Sequence, residues 1–244
     1  MDIPDFATDE GVERVLVVVA HPDDIDFGTA GSVAMWTDAG IDVTYCLVTS
    51  GEAGGDDRTM PRPDMAALRE EEQTNAAKQV GVTDLMFLHH PDGRVEATLD
   101  LRRDLSRVIR QVRPQRVISM SPDRNFERVY ASHPDHLATG QATMAAVYPD
   151  SRNPFAHPEL LEAEGLEPWT VPQLWIQLRG ESNVFVDTTD SFDRKLAALL
   201  SHLSQIPDAS WAETLLRDWG GANAKSVGLP DGRLAELFFA IDAR

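Results

Sequence analysis

Cysteine occurs once, at Cys46, so no intrachain disulfide can form and a disulfide-framed secreted domain is excluded. Positive charge is also scarce. Lys and Arg number 22 against 40 Asp and Glu, a formal net charge of −18. That inventory cannot dress a long groove for a phosphate backbone, which excludes nucleic acid as a partner. Long hydrophobic runs are missing: the longest near the N-terminus, Val15 to Ala20, is far short of a membrane span. Met1 to Glu13 is acidic and lacks the basic region and apolar run of a secretory signal, so a cytoplasmic protein is expected. No repeat or low-complexity tract is present. Gly28 and Gly31 in DFGTAGS follow a polar insertion and do not form the GxGxxG turn of a dinucleotide site.

What is present suffices for a core. Apolar residues make up 42% of the 244, and charged residues 25%, so folding needs no metal or disulfide. The charge is uneven: residues 1–60 carry 13 acids and 2 bases, residues 61–140 carry 12 of each, and residues 141–244 carry 15 acids and 8 bases. VLVVVA at 15–20 has no alternation, which suits a strand buried on both faces of a parallel sheet. A polar stretch, HPDDIDFG, follows; then SVAMWTDAG predicts a helix ended by Gly40, and 41–49 a second strand, completing a βαβ unit. Helices are expected at 64–80, 99–112, 134–147 and 192–203, with strands at 84–89, 116–120, 174–178, 184–186 and 234–239. Five prolines mark 148–172 as an excursion within one domain spanning 1–244. The class is α/β, a mostly parallel sheet covered by helices, with a looser C-terminal part.

Two polar clusters stand out. His21-Pro22-Asp23-Asp24 follows the first strand directly, and His133-Pro134-Asp135-His136 opens the helix after the fourth. Pro134 fits the first helical position, making His133 the N-cap. Ligands bind α/β sheets at the carboxyl ends of strands, so both clusters are expected at one sheet edge. A hydrolytic zinc site takes three protein ligands and leaves a position for water. His21, Asp24 and His136 supply such a set, with Zn2+ expected and another divalent first-row metal allowed. Asp23 is then a free carboxylate placed to take a proton from the attacking water, and His133 is placed to donate to a developing oxyanion or to the leaving group. Rival ligands or pocket-wall residues are His89 and His90, which end a strand. His157 is expected to be exposed, and His202 to lie on a helix surface or at the rim.

AHPDD at 20–24 with HPDH at 133–136 resembles the LmbE/PIG-L family of zinc-dependent de-N-acetylases. TSGEAG at 49–54, Arg69-x-x-Glu72, QVGV at 79–82, Asp92-Gly93 and FDRKLAALLSHLSQ at 192–205 extend the resemblance over roughly 14–205. It implies a Rossmann-like three-layer fold and hydrolysis of the acetamide of an N-acetylglucosamine-like sugar. The expected partner is a small N-acylated sugar or related amide, and a homo-oligomer is allowed. By resemblance the metal ligands are again His21, Asp24 and His136, with Asp23 as base and His133 beside the oxyanion. Glu52, Arg69, Asp92 and Tyr130 fall at positions that shape or bind the sugar pocket. The chain departs from the pattern in having Ile25-Asp26 where many relatives have Glu after AHPDD. It also has Ala131 where some carry a tyrosine, with Tyr130 one residue further from His133. Another amide cleaved by the same machinery, such as a sugar–thiol conjugate, and a non-catalytic metal-binding protein are the alternatives.

Overall fold

A computed structural model describes residues 3–126, 129–177 and 180–244, with the side chains of 130 and 131 outside the description. Strand β1 (Arg14–Val19) sits mid-sheet because Val15 to Val19 have no solvent-exposed surface. Burying each such side chain is worth about 1.5–3 kcal/mol. It pairs in parallel with β2 (Asp42–Leu47) on one side and β4 (Arg116–Met120) on the other. Strands β3 (Asp84–Phe87) and β5 (Gln173–Gln177) extend the parallel set outward. The sheet order is β3-β2-β1-β4-β5-β7-β6, where β7 (Ala235–Asp242) runs antiparallel to both β5 and β6 (Val184–Asp187).

The pleat of β1 divides the core. Val15, Val17 and Val19 face one layer with Trp36, Ala76, Ala77 and Ala198, from helices α2 (Ala30–Asp38), α3 (Arg62–Gln79) and α7 (Phe192–Leu199). Leu16 and Val18 face the other, with Leu101, Leu105, Ile109, Ala142 and Ala146 from α4 (Leu99–Val112) and α5 (Pro134–Val147). The result is the expected three-layer α/β sandwich. The chain moves outward from β1 through β2 and β3, then returns to place β4 on the opposite flank. That reversal opens a crevice between the carboxyl ends of β1 and β4. Helix α5 is held close to it by Gly140, where a Cβ would stand 2.5 Å from the Met120 carbonyl oxygen.

Several expectations are corrected. The polar stretch after β1 contains a short helix, α1 (Asp24–Gly28), whose residues Asp24, Ile25 and Asp26 are buried. Helix α7 stops at Leu199 rather than 203, because the chain then turns to send His202 into the interior. The strand expected at 174–178 runs Gln173–Gln177, and Leu178 lies outside the described residues. The 148–172 excursion carries α6 (Pro158–Glu162). It is fastened by Arg110 of α4, whose guanidinium donates to the carbonyls of Asp150, Ser151, Asn153 and Ala156. An unforeseen 18-residue helix, α8 (Ala209–Ser226), is capped by the Asp208 carboxylate, which accepts from the backbone of Ser210 and Trp211. Among the described residues no helix is long and apolar enough to cross a membrane.

Candidate active site

Both histidine clusters meet at the crevice. Beyond β1 the chain turns sharply: Asp23 takes a left-handed backbone (φ 88°), and the Asp24 carboxylate accepts the His21 backbone N–H at 2.8 Å. From the other side, His133 is the N-cap of α5, as Pro134 requires, and its Nδ1 accepts the Asp135 N–H at 3.2 Å. The three imidazoles form a near-equilateral group, with ring centroids 4.9 Å apart for His21–His133 and 5.2 Å for the other two pairs. Within it, His136 Nε2 is 3.3 Å from His21 Nδ1 and 3.0 Å from Asp24 Oδ1, while His21 Nδ1 is 3.4 Å from Asp24 Oδ2.

The His21 ring has a second side. Its Nε2 lies 3.1 Å from Asp92 Oδ1 and 3.3 Å from Asp135 Oδ2. Asp135 was not singled out from the sequence, where it reads as an ordinary first-turn acid between two histidines. It is buried, and its carboxylate also accepts the Gly93 N–H at 2.7 Å and the Val95 N–H at 3.3 Å. Asp92 accepts the Ala53 N–H through its other oxygen, and Glu52 accepts the Asp92 N–H. Glu52 and Asp92, expected to shape or bind a sugar pocket, lace the loops after β2 and β3 together behind His21.

Arg69 is turned inward in the same way. Buried on α3, it donates to the Asp23 carboxylate at 2.9 Å, to the Pro22 carbonyl at 2.7 Å and to the Gly51 carbonyl at 2.8 Å. Gly51, at φ 70°, has no Cβ because the guanidinium lies directly against it. The side chain of Tyr130 lies outside the described residues. His89 and His90 stay away from the imidazole cluster, against Ser50 and Glu70 and against Asp104. His157, expected to be exposed, is largely covered and lies 3.4 Å from Asp150. His202, expected on a surface or rim, is fully buried 2.7 Å from Asp26.

The electrostatics follow from burial among carboxylates. Burial alone would depress the His21 imidazole, yet hydrogen bonds to Asp135, Asp24 and Asp92 push it up to about 12. Asp24 resists the upward pull of burial because His136 and His21 hold it well below the usual carboxylate range. Asp23 moves the other way: burial first, then the Asp24 charge, raise it to about 6 against the attraction of Arg69. His133 is lowered by burial and by the neighbouring imidazoles. It is therefore neutral near pH 7, and with Nδ1 accepting a backbone N–H its proton sits on Nε2.

Residues 16–147 match the family model described as GlcNAc-PI de-N-acetylase. The chain belongs to the PIG-L family. It is a hydrolytic de-N-acetylase by that membership, and its relatives agree. It is 32% identical over 200 residues to the diacetylchitobiose deacetylase of Thermococcus kodakarensis, covering 82% of this chain and 73% of that protein. It is also 32% identical over 197 residues to a probable N-acetyl-alpha-D-glucosaminyl L-malate deacetylase 2 of Bacillus cereus, covering 79% and 83%. The structure of N,N'-diacetylchitobiose deacetylase from Pyrococcus horikoshii superposes with a TM-score of 0.88 at 28% identity, over 96% of this chain and 86% of that one. The two clusters that define the crevice, 21–24 and 133–136, both fall inside the span matched to the PIG-L family.

Proposed function

We propose that this PIG-L protein removes the acetyl group from an N-acetylated glucosamine unit, with a divalent metal, zinc by preference, held by His21, Asp24 and His136. The observation that carries this is the spacing of three donors. Ligands at the roughly 2.0–2.1 Å typical of zinc stand about 3.3 Å apart along the edges of a tetrahedron. His136 Nε2 stands 3.3 Å from His21 Nδ1 and 3.0 Å from Asp24 Oδ1, and His21 Nδ1 stands 3.4 Å from the other carboxylate oxygen, Oδ2, so the two imidazoles and the carboxylate converge at about that spacing. The His21, Asp92 and Asp135 group on the other side of the ring also gathers donors, but it offers one imidazole where the first set offers two, and its carboxylates, like that of Asp24, accept backbone N–H groups. It suits the role of a carboxylate pair that receives the Nε2–H and keeps Nδ1 turned to the ion.

When bound, such an ion supplies Lewis acidity to water and to the acyl carbonyl. The protein supplies the proton handling. Asp23, ionised above about pH 6, accepts a proton from water as the C–O bond forms. Arg69 keeps its carboxylate in one orientation through the 2.9 Å bond. The His133 Nε2–H donates to the oxygen that gains negative charge, with no proton-uptake step needed beforehand. Release of the amine requires one proton on nitrogen, available from Asp23 or His133.

The test is acetate release from N,N'-diacetylchitobiose by zinc-loaded protein, before and after chelation and with Asp23→Asn. Chelation should abolish turnover. Asp23→Asn should keep its metal and lose about 10²–10⁴-fold in kcat, the usual contribution of a positioned acid–base group. Turnover by the variant within about threefold of the parent, or a chelated enzyme that still works, would refute the reading.

A further inference from the structure

Behind Asp23 lies a second polar group that the reaction scheme does not use. Asp26 and His202 are both wholly buried and meet at 2.7 Å across 176 residues of sequence. The same Asp26 oxygen, Oδ2, accepts from Gln73 Nε2 at 3.0 Å, and Gln73 is equally buried. The other end of the Gln73 carboxamide, Oε1, accepts the backbone N–H of Asp23 at 2.9 Å. Gln73 stands one turn beyond Arg69 on α3, so one helical face holds Asp23 by its backbone and by its carboxylate.

We infer that Gln73, oriented by the buried Asp26–His202 pair, is a positioning residue that locks Asp23 in the left-handed backbone its role as base requires. This rests on the assignment of Asp23 made above. The reasoning is one of hydrogen-bond polarity. Asp26 Oδ2 accepts from the NH2 end of the carboxamide, which leaves the carbonyl end for the Asp23 N–H. Were the amide reversed, two acceptors would oppose each other at Asp26 and two donors at Asp23. Asp23 stands at φ 88°, a left-handed conformation uncommon for non-glycine residues, though aspartate enters it more readily than most, and the bond to its N–H helps to hold it there. The C-terminal turn around His202 is itself tied to α3, because Glu72 accepts from the backbone and hydroxyl of Ser204. A segment far away in sequence therefore sets the attitude of the base without approaching the substrate.

The experiment reverses the polarity. Gln73→Glu keeps an acceptor for the Asp23 N–H but turns a carboxylate against Asp26. It should lower kcat about 10–100-fold, the range for losing an outer partner of an active-site group, with KM and bound metal within about twofold. Its crystal structure should show Asp23 out of the left-handed region or detached from Arg69. Adding Asp26→Asn gives the new carboxylate a donor, and the double variant should recover most of the loss. Gln73→Met, which makes neither bond, should behave like Gln73→Glu without rescue by Asp26→Asn, and it serves where the charged variant fails to fold. Unchanged kcat, a loss of kcat with Asp23 unmoved, or a double variant worse than either single one would overturn the inference. An active Asp23→Asn would defeat the role of Asp23 as base, while the Asp23 backbone in the Gln73 variants still reports separately on positioning.

Discussion

Asp135→Asn is the most informative single change at the crevice, because shape is preserved while charge and one acceptor are removed. Asp135 accepts three N–H groups: Gly93 at 2.7 Å, Val95 at 3.3 Å and, through the 3.3 Å contact, His21 Nε2. An asparagine can keep its oxygen towards Gly93 and His21, but its NH2 then opposes the Val95 N–H; the reverse orientation sacrifices the other two. Either way one buried donor is orphaned and the charge facing the His21 ring is gone. Losing a hydrogen bond to a charged group costs about 1.5–3 kcal/mol. At about 2–4 °C per kcal/mol for a chain of this size, the metal-free variant should melt roughly 3–12 °C lower. Because Asp135 backs a proposed ligand, metal affinity should also fall about 10–100-fold. Thermal unfolding of the stripped protein and chelator-competition titration with zinc measure the two effects separately. A variant with parental melting and parental zinc affinity would refute the idea that Asp135 orients His21. One that loses stability alone would confine it to bracing the loop at 93–95.

Arg110→Met leaves the carbonyls of Asp150, Ser151, Asn153 and Ala156 without their shared donor, should cost about 1–3 kcal/mol, and should open 150–156 to limited proteolysis while α5 stays intact; parental resistance would refute this. His202→Gln tests the pH dependence of stability. Burial opposes protonation of His202, but the Asp26 hydrogen bond and charge, with help from Asp23 and Glu72, raise it above its ordinary value of about 6.5. A raised imidazole contributes fully below that ordinary value and loses the contribution as pH climbs through the folded one. The melting gap between parent and variant should therefore be widest below about pH 6.5 and shrink as pH rises above it, and a constant gap would contradict it.

The crevice was legible in the sequence because its signals are local. Val15–Val19 announces a central strand, Pro134 fixes where α5 begins, and the positions of His21, Asp23, Asp24, His133 and His136 follow from those two boundaries. What stayed hidden depends on contacts between distant segments. His202 follows a helical pattern that starts at Phe192, and nothing nearby says that the helix stops at Leu199 and the ring turns inward. Asp26 looked like a departure from family pattern, whereas it is half of a buried pair whose partner lies 176 residues on. The two facts together, an unusual acid after AHPDD and a histidine in SHLSQ, were the available clue. Helix α8 carries Gly220-Gly221 and a mixed surface, so it shows no continuous apolar stripe. Arg69, Asp92 and Glu52 were expected to shape or bind a sugar pocket; they lie near the crevice with their side chains bonded to Asp23, His21 and the loops behind it, a direction that spacing alone cannot give.

The charge of this region argues for what it receives. Asp23, Asp24, Asp26, Asp92 and Asp135 all lie at or just behind the crevice, and the permanent cation among their partners is Arg69. Arg69 is committed to Asp23, Pro22 and Gly51. Four buried carboxylates would then face one another across imidazoles, an arrangement whose desolvation is too costly without further positive charge. The upward push on His21 is the same demand expressed on a proton. A divalent ion held as proposed among His21, Asp24 and His136 would meet it at the point where the donors converge. It would offset the local excess without reversing it, so a phosphorylated or polyanionic ligand would still meet repulsion from the remaining acids. A neutral acetamido sugar would not, and the amine it becomes would leave as a cation from a site that favours one.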